Sequence, residues 1–214
     1  MPIISNSDKE QLKKLFLSLR NPVKIITFTQ EFECNYCQMT RELLHELSEL
    51  SDKISIEVYD FVKDAEIARS YGIDKIPAII LMRDQDYGIR FYGVPAGYEF
   101  TSLVEDIIDI SIGNAVLSIA SLKELEKVDK PVHIQVLISP TCPYCAQAVR
   151  LAHKFAMSND FIRADMIELS EFPYLSVKYD VKGVPKIVIN EKHTFIGSLP
   201  EADFLKLILK AIGK

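Results

Sequence analysis

A chain of 214 residues with 48% hydrophobic side chains and a net charge of −5 can bury one large core or two of about 100 residues each. The acidic balance lacks the basic footprint of a nucleic-acid binder, and the longest apolar run, Ile76 to Met82, is interrupted by Pro77 and is far too short to cross a bilayer. Met1 to Arg20 mixes charge with apolar residues and lacks the apolar stretch and small-residue cleavage site of a signal peptide, so the expectation is a soluble cytoplasmic protein with no nucleic-acid or membrane partner.

A first helix is expected from about Asp8 to Leu19, with Ser7-Asp8-Lys9-Glu10 as its capping box. A β-rich run, Val23 to Thr29, leads to Cys34-Asn35-Tyr36-Cys37 and a long helix on which Met39, Leu43, Leu44, Leu47 and Leu50 recur at helical spacing. Then come a strand from Ile54 to Tyr59, a short helix ending near Tyr71, a strand from Ala78 to Met82, a hairpin partner reaching Tyr92 and a helix from about Glu99. The order then begins again. Ser121-Leu122-Lys123-Glu124 repeats the cap, Val132 to Ile138 the strand, and Cys142-Pro143-Tyr144-Cys145 the motif, followed by a helix carrying Ala146, Val149, Ala152, Phe155 and Ala156. Phe161 to Ile167, a short helix ending near Tyr179, Lys186 to Ile189, Thr194 to Ile196 and Ala202 to Ala211 complete the second round.

Cys34 and Cys142, Cys37 and Cys145, Tyr36 and Tyr144, His45 and His153, Tyr71 and Tyr179, and Pro77 and Pro185 all keep one offset of 108 residues. This is an internal duplication. Upstream, Pro22-Val23-Lys24-Ile25 matches Pro131-Val132-His133-Ile134 at an offset of 109, which puts a one-residue length difference in the loop before each motif, where such differences are tolerated. The join falls near Gly113-Asn114, giving units 1–115 and 116–214, and residues 115–120 are apolar enough to imply docked rather than beaded units. Strand, helix, strand, then hairpin and helix describes an α/β unit with a mixed central sheet flanked by helices. Residues 1–117 hold 12 basic and 19 acidic side chains against 13 and 11 in 118–214, so the negative charge belongs to the first half.

All four cysteines fall in the two motifs, so none is left as a casual buried thiol. A cysteine between a strand end and a helix start meets free N–H groups and the positive end of the helix dipole, which stabilise its thiolate. Two intervening residues keep both sulfurs on one turn. Cys34 or Cys142 would attack a substrate disulfide, and Cys37 or Cys145 would resolve the mixed disulfide. The competing reading, a structural zinc site, expects pairs within about 20 residues, whereas 104 residues separate Cys37 from Cys142. His45 and His153 read as helix-surface or packing residues, Tyr36 and Tyr144 as shaping the surface round the sulfurs, and Glu57, Asp60 and Glu168 as solvated strand-end carboxylates. Glu31 and Glu33 crowd Cys34 with like charge while Ser139-Pro140-Thr141 is neutral, so Cys142 is expected to have the lower pKa.

These residues resemble the protein disulfide oxidoreductases of thermophilic archaea and bacteria, two thioredoxin folds in tandem, and the resemblance covers essentially the whole chain. Cys142-Pro143-Tyr144-Cys145 is similar to the glutaredoxin tetrapeptide, and Cys34-Asn35-Tyr36-Cys37 keeps its tyrosine. The resemblance implies cis peptides at Ile76-Pro77 and Val184-Pro185, whose backbone meets an extended substrate, and a groove glycine at Gly93 and Gly197. It implies redox-active disulfides Cys34–Cys37 and Cys142–Cys145, no bound cofactor, disulfide-containing protein substrates, and recharging by an NADPH-dependent thioredoxin reductase. No Gly-x-Gly-x-x-Gly occurs in the chain itself. The alternatives are a dedicated electron shuttle to a peroxiredoxin, similar to the amino-terminal segment of flavoprotein peroxiredoxin reductases, and a non-catalytic binding module. One departure stands out: where thioredoxins keep a buried acid about six residues before the first cysteine, this chain has Thr27-Phe28 and Val136.

Overall fold

The computed structural model describes residues 2–214. In chain order the elements are α1 (Asn6–Phe16), β1 (Val23–Thr29), α2 (Cys37–Ser48), β2 (Ile54–Asp60), α3 (Ala65–Ser70), β3 (Ala78–Met82), β4 (Asp86–Tyr92), α4 (Tyr98–Ile112), α5 (Ile119–Leu125), β5 (Val132–Ile138), α6 (Cys145–Ser158), β6 (Ile162–Glu168), α7 (Pro173–Lys178), β7 (Lys186–Ile189), β8 (His193–Ile196) and α8 (Glu201–Ala211). The two rounds expected from the repeat are both present, each a thioredoxin-like unit. None of the helices is long and apolar enough to cross a membrane among the described residues.

The strands join in one eight-stranded sheet ordered β2-β1-β3-β4-β6-β5-β7-β8. Within each unit the first two strands are parallel, the first hairpin strand (β3 or β7) is antiparallel to them, and the second (β4 or β8) turns back to run parallel with them. The units meet through β4 and β6, which pair in parallel from Ile89 opposite Ala164 to Tyr92 opposite Ile167. The units are therefore more than docked: they share one backbone hydrogen-bond ladder. As a result β1 and β5 run the same way, and both cysteine motifs leave the same end of the sheet, at the C-termini of these strands.

Alternation along the strands divides the core. Ile25, Ile79, Leu81, Phe91, Ile134, Met166 and Ile187 face α1, α2, α4, α5, α6 and α8, in a single apolar cluster that runs through both units. Ile26, Phe28, Ile80, Tyr92, Leu137, Ile167 and Val188 face the short helices α3 and α7. Burying each such side chain contributes roughly 1.5–3 kcal/mol. Met39, placed with the apolar stripe of α2 by its spacing, is instead 46% exposed beside the first motif.

Both helix caps lie upstream of the expected boxes. Ser5 is the cap of α1: its hydroxyl accepts the Asp8 N–H at 3.1 Å, while the Ile3 and Ile4 amides donate to Glu46 and fix the entry of the chain. Ser118 caps α5 by accepting the Ser121 N–H at 3.1 Å, its own N–H donating to Glu201. Ser7 and Ser121 lie inside their helices because the serine two or three residues earlier is already extended, as a cap must be.

Polar groups close the seam on both sheet faces. Arg163 of β6 donates to Asp165 at 2.9 Å, to the Tyr92 hydroxyl at 2.7 Å and to the Gly72 carbonyl at 3.0 Å, tying the second unit to the first. His133 lies 2.7 Å from Asp165 and 2.9 Å from Glu191. Burial alone would raise the Asp165 pKa, but the His133 hydrogen bond and the Arg163 charge outweigh it and hold the carboxyl below its usual range. Burial likewise pushes His133 down, and Asp165 with Glu191 reverses this, leaving its pKa raised. On the opposite face His153 lies 2.6 Å from Asp106 of α4, edge-on to Phe91 at 4.9 Å, and Arg150 pairs with Glu105, Asp106 and Asp109. Burial pushes the His153 pKa down to about 3, so its imidazole is neutral at ordinary pH.

Asp165→Ala strands Arg163 and is expected to cost about 3 kcal/mol or more in urea unfolding. Because the His133 pKa is raised on folding, its contribution is full below its unfolded value near 6.5 and is lost as pH rises through the folded value. Wild type should therefore lose more stability above pH 6.5 than His133→Gln does; parallel pH profiles would contradict this pairing.

Candidate functional site

Each cysteine motif sits where a central strand hands the chain to a helix. β1 and β5 share one burial pattern, with every residue from the third onward buried, and this fixes the strand ends from which the motif loops depart. Cys34 is joined to Cys37 and Cys142 to Cys145, with Cα atoms 5.5 and 5.4 Å apart. The second cysteine of each pair is the first residue of its helix and is fully buried, while Cys34 is half-buried and Cys142 is 8% exposed. The first cysteines thus precede the helix instead of lying in its first turn, at the solvent side of the helix N-terminus. No side chain caps α2 or α6, and each helix begins at its second cysteine, which places the sulfurs at the positive end of the helix dipole. The Gln30 N–H donates to Cys37 Sγ at 3.4 Å. Tyr36 and Tyr144 are exposed and border the sulfurs, together with exposed Phe32 in the first unit.

Ile76-Pro77 and Val184-Pro185 are both cis. Strand register sets them beside the motifs: Ala78 pairs with Phe28 and Lys186 with Leu137, so each proline adjoins the last residue of its central strand. Pro77 and Pro185 are buried, and Ile76 and Val184 half-buried at the rim. Gly93 and Gly197 follow the last strand of each hairpin, with φ of 92° and 103°, and donate their N–H to the Pro77 and Pro185 carbonyls at 3.0 and 2.8 Å. A cysteine pair, a cis X-Pro and a left-handed glycine therefore converge twice, once in each unit.

Two carboxylates, one fully buried and one half-buried, neither singled out by spacing or motif, lie at this end of the sheet. Glu99, 1% exposed, stands in the first turn of α4, two residues after Gly97; a Cβ on Gly97 would come within 2.5 Å of the Pro140 carbonyl, in the loop that delivers Cys142. Burial pushes the Glu99 pKa up to about 7, with only the Ser102 hydroxyl, at 2.9 Å, opposing it. Glu171 reaches from the second unit to accept the Val94 N–H at 2.7 Å; burial, with the Glu168 charge adding to it, pushes its pKa up to about 7. The first unit thus lends an acid to the surroundings of the second motif, and the second unit lends one to the first. Glu168 corrects an expectation: it is 2% exposed and accepts from the Ser170 and Glu171 amides, because β6 is an interior strand where its counterpart β2 is an edge. Glu57 and Asp60, on that edge, stay partly exposed. His45 is on the surface, and His153 is the packed residue at the seam. Among the described residues no three His, Cys, Asp or Glu side chains converge as a metal site would require.

A family model described as Thioredoxin domain matches residues 132–210. A protein disulfide oxidoreductase from Aeropyrum pernix is 30% identical, with 97% of this chain covering 93% of that one at a TM-score of 0.90. The NTD_N/C domain of alkylhydroperoxide reductase from Enterococcus faecalis is 25% identical over 96% of this chain and 99% of that one, with a TM-score of 0.88. An alkyl hydroperoxide reductase of Escherichia coli is 27% identical over 190 residues, 89% of this chain. The chain spans about a third of the length of the curated relatives it matches, 34% in that case.

The Glu99 environment carries a measurable signature. A carboxyl whose pKa rises on folding loses stability as pH climbs from its unfolded value near 4.5 to its folded value near 7, and no further beyond. Glu99→Gln should therefore gain in melting temperature relative to wild type between pH 5 and pH 8, and an unchanged difference across that range would place the raised pKa elsewhere.

Proposed function

We propose, from the premise that the chain belongs to the protein disulfide oxidoreductase family, that both of its cysteine pairs turn over as dithiol-disulfide centres on protein substrates. The observation that carries this reading is the twofold convergence of a cysteine pair, a cis X-Pro and a left-handed glycine at one end of the sheet. In the reducing direction the Cys34 or Cys142 thiolate attacks one sulfur of a substrate disulfide, breaking that bond and forming a mixed disulfide. The buried Cys37 or Cys145 thiol then gives up its proton and attacks the enzyme sulfur. This releases the substrate as a dithiol and leaves the enzyme oxidised by two electrons. The half-buried Ile76 and Val184 backbones, ahead of Pro77 and Pro185, align the substrate strand.

The buried second cysteine needs a proton acceptor, and the position six residues before the first cysteine holds Phe28 in one unit and Val136 in the other, not an acid. We assign this role at the second site to Glu99, which is closed to solvent, is poised near neutrality and stands behind the Pro140 loop. Glu31 and Glu33, both exposed, keep negative charge on the Cys34 side, in support of Cys142 as the more acidic thiol. The working units are 1–115 and 116–214. Electrons come from an NADPH-dependent thioredoxin reductase, which supplies the nicotinamide and flavin chemistry that this chain's motifs lack. A second reading, a shuttle to a peroxiredoxin, draws on the likeness to the alkylhydroperoxide reductase domain. It requires only one working pair, whereas two complete ones are present.

Turnover with insulin and with a scrambled disulfide protein separates these readings. Cys34→Ser and Cys142→Ser should each retain a measurable part of wild-type reduction, and the double variant should fall at least about a hundredfold, to the level of nucleophile removal. Full activity in one single variant and none in the other would reduce the enzyme to one centre.

A further inference from the structure

The two grooves have the same parts and different surroundings. In the second unit the hairpin ends at β8, the outer strand of the sheet, and a Cβ built on Gly197 meets nothing within 4 Å. In the first unit the equivalent strand, β4, is interior, and β6 runs alongside it to its end. A Cβ on Gly93 would lie 2.8 Å from both Glu168 Cβ and Glu171 Oε1. The turn after β6 is anchored there: Glu168 accepts the Ser170 and Glu171 amides at 3.0 Å, and Glu171 Oε1 accepts the Val94 N–H at 2.7 Å. Next along the same loop, Gly97 packs on the Pro140 carbonyl, so the chain from Gly93 to Gly97 is pressed against the second unit at both ends. Gly93 also donates to Pro77. The groove at Ile76-Pro77 therefore has, on its β4 side, a wall that the groove at Val184-Pro185 lacks.

We propose that Glu171, held against Gly93 and Val94 by the second unit, is a specificity-determining residue of the Cys34–Cys37 site: it confines that site to disulfides on slender, flexible segments, while the Cys142–Cys145 site, open past Gly197, takes disulfides carried on folded proteins. This rests on the oxidoreductase reading given above. The selection is steric. Both sites align a substrate strand along the X-Pro backbone, and a bulky scaffold carried past the glycine runs into the Glu168–Glu171 turn in one case and into solvent in the other. Glu171 suits this task better than the proton-accepting one assigned to Glu99. It is half-buried at the groove rim and is tied through Oε1 to a backbone amide, whereas Glu99 is sealed inside.

The test uses full-length chains with one centre disabled, Cys34→Ser/Cys37→Ser and Cys142→Ser/Cys145→Ser, each reduced beforehand and mixed in single turnover with two oxidants. One is a pair of short peptides joined by a disulfide, and the other is insulin, whose disulfides sit on a folded scaffold. The ratio of second-order rate constants, insulin over peptide, cancels the intrinsic reactivity of each thiol. The ratio should be about tenfold higher for the chain retaining Cys142 and Cys145, the size of discrimination a single steric mismatch supports. In the chain retaining Cys34 and Cys37, Glu171→Ala should raise the ratio toward that of the open site, and Glu171→Gln, which keeps the bulk, should leave it low. Equal ratios for the two centres, or a ratio unmoved by Glu171→Ala, would overturn the proposal while the oxidoreductase reading stood. Chains inert toward both oxidants would overturn both.

Discussion

The structure depends on the parallel pairing of β4 with β6. Those few ladder positions, from Ile89 opposite Ala164 to Tyr92 opposite Ile167, turn two four-stranded sheets into one and remove two edges that would otherwise be open to other chains. With the ladder fixed, β1 and β5 must point the same way and both motifs must emerge at the same end of the sheet. The side chains on either face follow from it. Arg163 reaches Tyr92 and Gly72 only because β6 lies next to β4, and His153 meets Asp106 only because α6 is carried over α4.

The same pairing makes repeated sequences chemically unequal. An isolated unit would have nothing beyond its own residues beside its groove glycine and motif loop. Here the turn after β6 abuts the first groove and the start of α4 abuts the second motif loop. Each site is finished by residues of the other unit, Glu171 in one direction and Glu99 in the other. Glu99 is fully buried and Glu171 half-buried, neither has a cationic partner, and loss of water is the main cause that brings their pKa values to about 7. Of the two, Glu99 is sealed from solvent and is the one proposed above to take a proton, while Glu171 is held by the Val94 amide at the groove rim.

Much of this was legible in the letters. The offset of 108 residues located both units, and β1, β3, β5 and β7 begin and end where their apolar runs do. Fully buried strands announce themselves as continuous Val, Ile and Leu between breakers, and the cysteine spacing identified the chemistry. Short-range signals with competitors close by were misplaced: Ser7 and Ser121 were each displaced as caps by a serine upstream, which a pattern of four residues cannot arbitrate. Met39 fits a helical stripe, yet the α2 face it occupies is the one that borders the active edge. Glu99, Glu168 and Glu171 were illegible for a deeper reason. Their burial arises from contacts between units, more than 40 residues away in sequence for Glu99 and more than 70 for the Glu171 bond to Val94, and nothing local distinguishes them from solvated acids.

The central claim is that two independent dithiol centres operate on one continuous scaffold, and a redox titration with differential alkylation tests it most directly. Equilibrating the full chain across a series of dithiol to disulfide ratios, trapping free thiols and mapping them by peptide mass should reveal two reversible two-electron couples, with Cys34 paired to Cys37 and Cys142 paired to Cys145 throughout. A pair that stays locked across the whole series, or a recovered cross-link such as Cys37 to Cys142, would contradict it.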